Sequence, residues 1–262
     1  MNKVCITTVV DEHYAAYIPL FCWCVKQVYP AYSCKIFTRN IDVIQNLFLN
    51  TEFIPLFEDF PRYSYNTIAL RFVIPPKYFD KFDYVYVTDI DMMIMPERIS
   101  IEDFHCGEMV STGLPYSNSL RNVHHYAGYQ SLSGLHFASR AWFMKTEAER
   151  LKYYDLLQRG LVGLYREYDG IMLYRMARNS GLGIPKKYKL KKRHHGIHLG
   201  NFRLYNTREA WESRIPPEYR SQWQSWECDP EFSEIIKHCR IKNKMLDNQL
   251  TTLHDFIRNP GI

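Results

Sequence analysis

The run "YVYVT" (84–88) has the aromatic and β-branched content of a buried strand, and it closes on two carboxylates, Asp89 and Asp91. Apolar sequence resumes at once in "MMIM" (92–95). Such a segment can be buried only if the acidic pair falls at the strand's carboxyl end, on the rim of a sheet. In extended chain, the i, i+2 spacing puts both side chains on the same side. Two anions held that close repel, so a cation is the natural compensation. Their hard oxygen donors suit Mg²⁺ or Mn²⁺. A turn in which aspartate caps a helix or bonds the backbone would use the same triplet without a metal.

Segments of the same kind surround this one. "KVCITTVV" (3–10) predicts a buried parallel strand, and the uncharged run from Tyr14 to Val25 predicts a core-facing helix. Further strands are predicted at 34–38, 52–57, 108–114 and 135–139. "YNTIALRFV" (65–73) reads as a helix stopped by Pro75 and Pro76. Later the pattern turns helical, in "EAERLKYYDLLQRG" (147–160) and "YDGIMLYRMARNSG" (168–181), with a charged tail from Pro230 onward. Strands alternating with helices predict an α/β fold with a mostly parallel central sheet flanked by helices, and ligands outside the carboxyl ends of its strands. With 262 residues and 46% hydrophobic content, a sizeable core is expected over 1–206. A helical C-terminal extension, 207–262, is expected to pack on it.

The net charge of +5 suits an anionic small molecule and is too weak to support nucleic-acid binding. Seven cysteines without a C-x-x-C pair read as free thiols in a reducing compartment. No basic, then apolar, leader opens the chain, and the uncharged run there is too short to span a bilayer, so the expectation is a soluble cytoplasmic protein. The basic run "KKYKLKKR" (186–193) leaves room for peripheral attachment to an anionic membrane carrying a lipid-linked acceptor. The aromatic cluster "WQSWECDPEF" (223–232) reads first as helices covering the sheet, and second as a wall facing a saccharide acceptor.

Directly behind the lysines, "HHGIHLGNFR" (194–203) combines three histidines with two glycines. An imidazole beside glycine can approach a metal held elsewhere in the fold, and neighbouring basic groups would meet a phosphate-bearing ligand. Any one of these histidines is more often a surface or core residue, and the lysines a solvated face. Jointly with the acidic pair they point to a metal–phosphate site.

Four blocks in order resemble the nucleotide-sugar-dependent glycosyltransferases of the GT-A (Rossmann-like) fold, most closely the glycogenin and galactosyltransferase-like group, family 8. They are "ITTVVDEHY" (6–14), "ALRFVIPPKYFDKFDYVYVTDIDMMIM" (69–95), "SLSGLHFAS" (131–139) and "IHLGNFR" (197–203). The second and fourth are the specific ones. Ser133 stands where the family usually has Asn, and Arg203 where Lys is usual.

The resemblance implies roles for particular residues. Asp91 would chelate a metal, Mn²⁺ or Mg²⁺, with Asp89 on metal or ribose, and His198 would complete the protein ligands, with His195 as the alternative. Thr7, Thr8, Asp11 and Tyr14 would form the base pocket, Arg71 and Arg203 would share the diphosphate charge, and Ser133 with Gly134 would face the donor sugar. Asp169 resembles a carboxylate that faces that sugar, although an N-cap aspartate would look the same in sequence. The implied activity is metal-dependent transfer of a sugar, from a UDP-sugar or related nucleotide sugar, to a saccharide, glycoconjugate or other hydroxyl acceptor, leaning to retention. A non-catalytic saccharide-binding module of the same fold is the first alternative. A sugar-phosphate nucleotidyltransferase is the second, and "TTVVDEHY" lacks the glycine-rich loop such an enzyme would need.

Overall fold

Val4–Val10, buried at every position, form the first strand, β1, of the computed structural model. The structure describes residues 2–39, 51–55, 69–122, 130–161, 169–185, 195–202 and 215–258. After β1 come α1 (Ile18–Val28), β2 (Ser33–Thr38), β3 (Thr51–Pro55), β4 (Tyr84–Val87), β5 (Met92–Ile94) and α2 (Ile101–Thr112). The short strands β6 (Tyr116–Ser117), β7 (Leu120–Asn122), β8 (Gln130–Leu132) and β9 (His136–Ser139) follow, then α3 (Arg140–Lys145), α4 (Glu147–Gln158) and α5 (Asp169–Asn179). The described chain ends with β10 (Gly196–His198), α6 (Pro217–Glu227), α7 (Pro230–Lys242) and α8 (Lys244–Arg258).

The central sheet has the order β3-β2-β1-β4-β9-β6. Strands β3, β2, β1 and β4 run parallel, whereas β9 is antiparallel to both its neighbours. The expected α/β architecture is therefore present, with a mixed edge. Because β1 and β4 are parallel neighbours, the residues that follow them emerge on the same rim of the sheet.

Helix α1 explains its own lack of charge. Every residue from Ile18 to Val25 is buried. On one side the helix meets β5, and on the other α7. Trp23 meets Trp226 edge-on at 4.9 Å between centroids and lies 4.7 Å from Phe232, so the 223–232 aromatics cover α1 as core. Helix α8 presents Leu246, Leu250, Leu253, Phe256 and Ile257, spaced three to four apart, to that same core. Each such side chain, fully buried, contributes about 2 kcal/mol.

One expected element differs. Residues 108–112 of the predicted 108–114 strand belong to α2. Local caps decide this: Ser100 accepts a hydrogen bond from the Asp103 amide at 3.0 Å, Glu102 and Asp103 occupy the first turn, and Gly113 closes the helix at φ 66°. Of the predicted 65–73 helix, Ala69 and Leu70 are helical, and the amides of Phe72 and Val73 donate to the carbonyls of Ala69 and Leu70 in the turn that follows. Residues 65–68 lie outside the described residues. Among the described residues, no helix is long and apolar enough to cross a membrane.

Candidate active site

The strand β4 ends one residue before Thr88, whose amide donates to the Thr7 carbonyl at 3.0 Å and extends the pairing with β1. The chain then turns through the half-buried Asp89 and the buried Asp91 and re-enters the core as β5. There β10 pairs antiparallel with β5, setting His198 opposite Met92, and the Leu199 amide donates to the Asp91 carbonyl at 2.8 Å. This short ladder carries an imidazole to the acidic pair across more than a hundred residues of chain. His198 Nε2 lies 3.0 Å from Asp91 Oδ1.

Two glycines make the approach feasible. A Cβ on Gly196 would fall 2.0 Å from the Met93 carbonyl oxygen, which would break the β5–β10 pairing. On Gly200 it would stand 2.8 Å from Asp91 Oδ2 and 3.1 Å from His198 Cε1, inside the cradle between these two side chains. One donor atom each from Asp89, Asp91 and His198 lies within 4.8 Å of the others. Two carboxylates and an imidazole around a space kept open by glycine fit a divalent ion such as Mn²⁺ or Mg²⁺. Burial opposes the imidazolium, but the charge and hydrogen bond of Asp91 outweigh it and lift His198 to about 9. His195, the alternative ligand, is instead fully buried against Tyr86, Phe104 and His105, with Nδ1 3.6 Å from Glu97.

Arg71 ties this cluster to Asp169. It is buried, and its fork donates to Asp89 Oδ1 through Nη1 and to Asp169 Oδ2, 2.5 Å away, through Nη2. Burial opposes the guanidinium charge, and the carboxylates of Asp89 and Asp169 overcome it, raising the pKa. Asp169 begins α5, and its other oxygen accepts from the Gly170 amide at 2.7 Å, as an N-terminal carboxylate does. A Cβ on Gly170 would fall 2.3 Å from the Leu132 carbonyl oxygen, so glycine lets α5 sit directly on β8.

Ser133 and Gly134 complete the same cluster. A Cβ on Gly134 would lie 2.5 Å from Arg71 Nη2 and 3.4 Å from Asp89 Oδ2. Sequence reasoning missed the residue that fixes them, Asn118. Its Oδ1 accepts from the amides of Ser119 (2.6 Å) and Ser133 (2.8 Å), and its Nδ2 donates to the Ser133 carbonyl at 3.1 Å. The signal was the polar run "SNS" (117–119) behind an apolar strand, all of it buried.

The base-pocket candidates stand on the adjacent strand. Thr7 and Thr8 are fully buried, and Thr7 Oγ1 donates to the Lys35 carbonyl at 3.0 Å inside the sheet. Asp11 Oδ1 accepts from the amides of His13 and Tyr14 at 3.0 and 3.2 Å, forming the turn that ends β1. Tyr14 is half-buried, 5.3 Å from Tyr17 between ring centroids. Arg203 and the lysine run lie outside the described residues.

Neither a family model nor a curated protein matches the chain. Its structural neighbours include glycosyltransferases. The glycosyltransferase GlyE of Streptococcus pneumoniae TIGR4 superposes with a TM-score of 0.44 and 13% identity, covering 73% of this chain and 46% of GlyE. The chain thus spans less than half the length of that neighbour. The galactosyltransferase LgtC, in complex with donor and acceptor sugar analogs, gives a TM-score of 0.44 and 16% identity over 82% of this chain and 81% of LgtC. The bifunctional IspDF of Campylobacter jejuni gives 0.39 and 10%, over 82% of this chain and 55% of its own. Likenesses this distant carry no argument about activity.

Proposed function

We propose that the chain is a Mn²⁺- or Mg²⁺-dependent glycosyltransferase that moves a sugar from a nucleotide sugar, a UDP-sugar, to a hydroxyl of a saccharide or glycoconjugate, with retention. One observation carries this reading: Asp89, Asp91 and His198 offer three ligand atoms on the rim of a parallel sheet, and Arg71 links them to Asp169. A divalent ion held there supplies Lewis acidity where charge grows on the departing nucleoside diphosphate.

The chain's own residues do the remaining work in this proposal. Asp11 and Tyr14, with Thr7 and Thr8 behind them, receive the base, and Arg71 with Arg203 balances the diphosphate charge. Gly134, lacking a side chain, lets the donor sugar approach the Arg71–Asp169 pair. Asp169 orients that sugar, and the acceptor hydroxyl attacks the anomeric carbon from the face the diphosphate leaves, its proton passing to the departing oxygen. The work is assigned to the cytoplasm, with peripheral contact to an anionic membrane where the acceptor is lipid-linked.

The deciding experiment incubates the protein with Mn²⁺, a panel of nucleotide sugars and simple saccharide acceptors, and follows nucleoside diphosphate release. Release that disappears with chelator and in Asp91→Ala supports the proposal. Binding without turnover on any acceptor would reduce the chain to a sugar-nucleotide-binding module, and pyrophosphate release from a sugar phosphate plus a nucleoside triphosphate would make it a nucleotidyltransferase.

A further inference from the structure

Helix α8 touches both halves of the proposed nucleotide site. At its start, Asn243 accepts hydrogen bonds from the amides of Met245 (2.9 Å) and Leu246 (3.1 Å), while its Nδ2 donates to the His13 carbonyl at 2.9 Å. Two turns along, the buried Gln249 accepts from the Tyr17 hydroxyl at 2.7 Å through Oε1. His13 and Tyr17 flank Tyr14, whose amide and carbonyl are bound into the same run of turns, from Asp11 to Tyr17. Further along, α8 packs on Leu199–Asn201, the turn that follows His198. Phe256 stands 6.4 Å from Phe202 between ring centroids, in the core shared with Leu199, Leu250 and Leu253.

A helix is rigid over this length, whereas each turn alone is a few residues of irregular backbone. We infer that α8 is a brace that fixes the base-facing turn, 11–17, relative to the metal-facing turn, 198–202, so that Asn243, Gln249 and Tyr17 are positioning residues for recognition of the nucleotide base. The inference rests on the proposed function for its ligand. It separates two parts of that ligand: the base is read through the braced turn, while the diphosphate and metal are held by Asp89, Asp91 and His198.

The test uses the full chain with Asn243→Ser and Tyr17→Phe, singly and together. Serine keeps an oxygen that caps α8 but cannot reach His13, and phenylalanine removes only the hydroxyl. With Mn²⁺ present, the double variant should bind UDP about tenfold more weakly, the effect of two modest hydrogen bonds. Affinity for inorganic pyrophosphate, which has no base, should change by less than about twofold. Without any ligand, amide exchange at Tyr14 and Tyr17 should accelerate, while α8 keeps its protection. Equal UDP affinity and equal exchange in wild type and double variant overturn the brace, and equal weakening of UDP and pyrophosphate overturns its link to the base. If wild type binds no nucleoside diphosphate, the proposed function falls, and the exchange measurement alone then decides whether α8 holds the turn.

Discussion

Arg71 Nη2 lies 2.5 Å from Asp169 Oδ2 across 98 residues of chain, and the same guanidinium bonds Asp89. The buried cation therefore keeps two part-exposed carboxylates, 27% and 23% accessible, side by side. Removing it leaves them repelling each other beside Asp91. Arg71→Gln should lower stability by about 3 kcal/mol in denaturant unfolding. Turnover should fall by about a hundredfold or more. Arg71→Lys should behave nearly as badly, because an ammonium cannot fork between two acceptors. Near-normal sugar transfer by either variant would remove Arg71 from the site.

The contrast between two glycines tests the crowding around that arginine. Alanine at Gly134 would drive a methyl group to 2.5 Å from Arg71 Nη2, whereas at Gly107, inside α2, it would meet nothing within 4 Å. Gly107→Ala should raise stability by about 0.5–1 kcal/mol through helix propensity alone and leave catalysis intact. Gly134→Ala should retain its fold by circular dichroism and lose transfer. The reverse ranking of the two activities would mean that the donor sugar does not pass Gly134.

What could be read from sequence followed from local physics. The buried strands β1 and β4, the uncharged α1 and the acidic pair at a strand end were legible because each is a property of a few consecutive residues. Segment 108–114 was misread because its valine and threonine suggested a strand, while the Ser100 cap and acidic first turn that start the helix lie well upstream of it and Gly113 only closes it. His198 was legible as a candidate ligand because glycines flank it and a carboxylate pair needed compensation. The bonding of Arg71 to Asp169 and the grip of Asn118 on Ser133 were not legible, since tertiary packing pairs those residues and no local pattern encodes it.

Metal affinity should follow the donor set and the space around it. Asp91→Asn should weaken Mn²⁺ binding by about a hundredfold or more in calorimetry, and His198→Ala by about tenfold to a hundredfold. The more discriminating variant is Gly200→Ala, which alters no ligand but places a methyl group 2.8 Å from Asp91 Oδ2. It should cost about tenfold in Mn²⁺ affinity while the chain stays folded. Wild-type affinity in Gly200→Ala would place the ion elsewhere.

Two buried histidines, His136 in β9 and His105 in α2, set an acid limit on stability. Burial, with the Arg150 charge adding to it, lowers His136 to about 3, and burial with the neighbouring His195 and His136 drives His105 well below its ordinary value. His136 Nδ1 lies 3.1 Å from Asn118 Nδ2, which donates to it, so the folded chain needs this ring neutral. In the unfolded chain both rings titrate near about 6.5. Between that pH and the depressed folded values the unfolded state binds more protons, so stability is complete above about pH 6.5 and is lost as the pH falls below it. The slope from each histidine is about 1.4 kcal/mol per pH unit. Urea unfolding of the wild type from neutral pH down to about pH 5 should show that loss, and His105→Gln, which can keep a hydrogen bond to Ser117, should show a shallower one. Carboxylate titration acts on both chains alike, so identical slopes in the two would mean that His105 takes up its proton without unfolding.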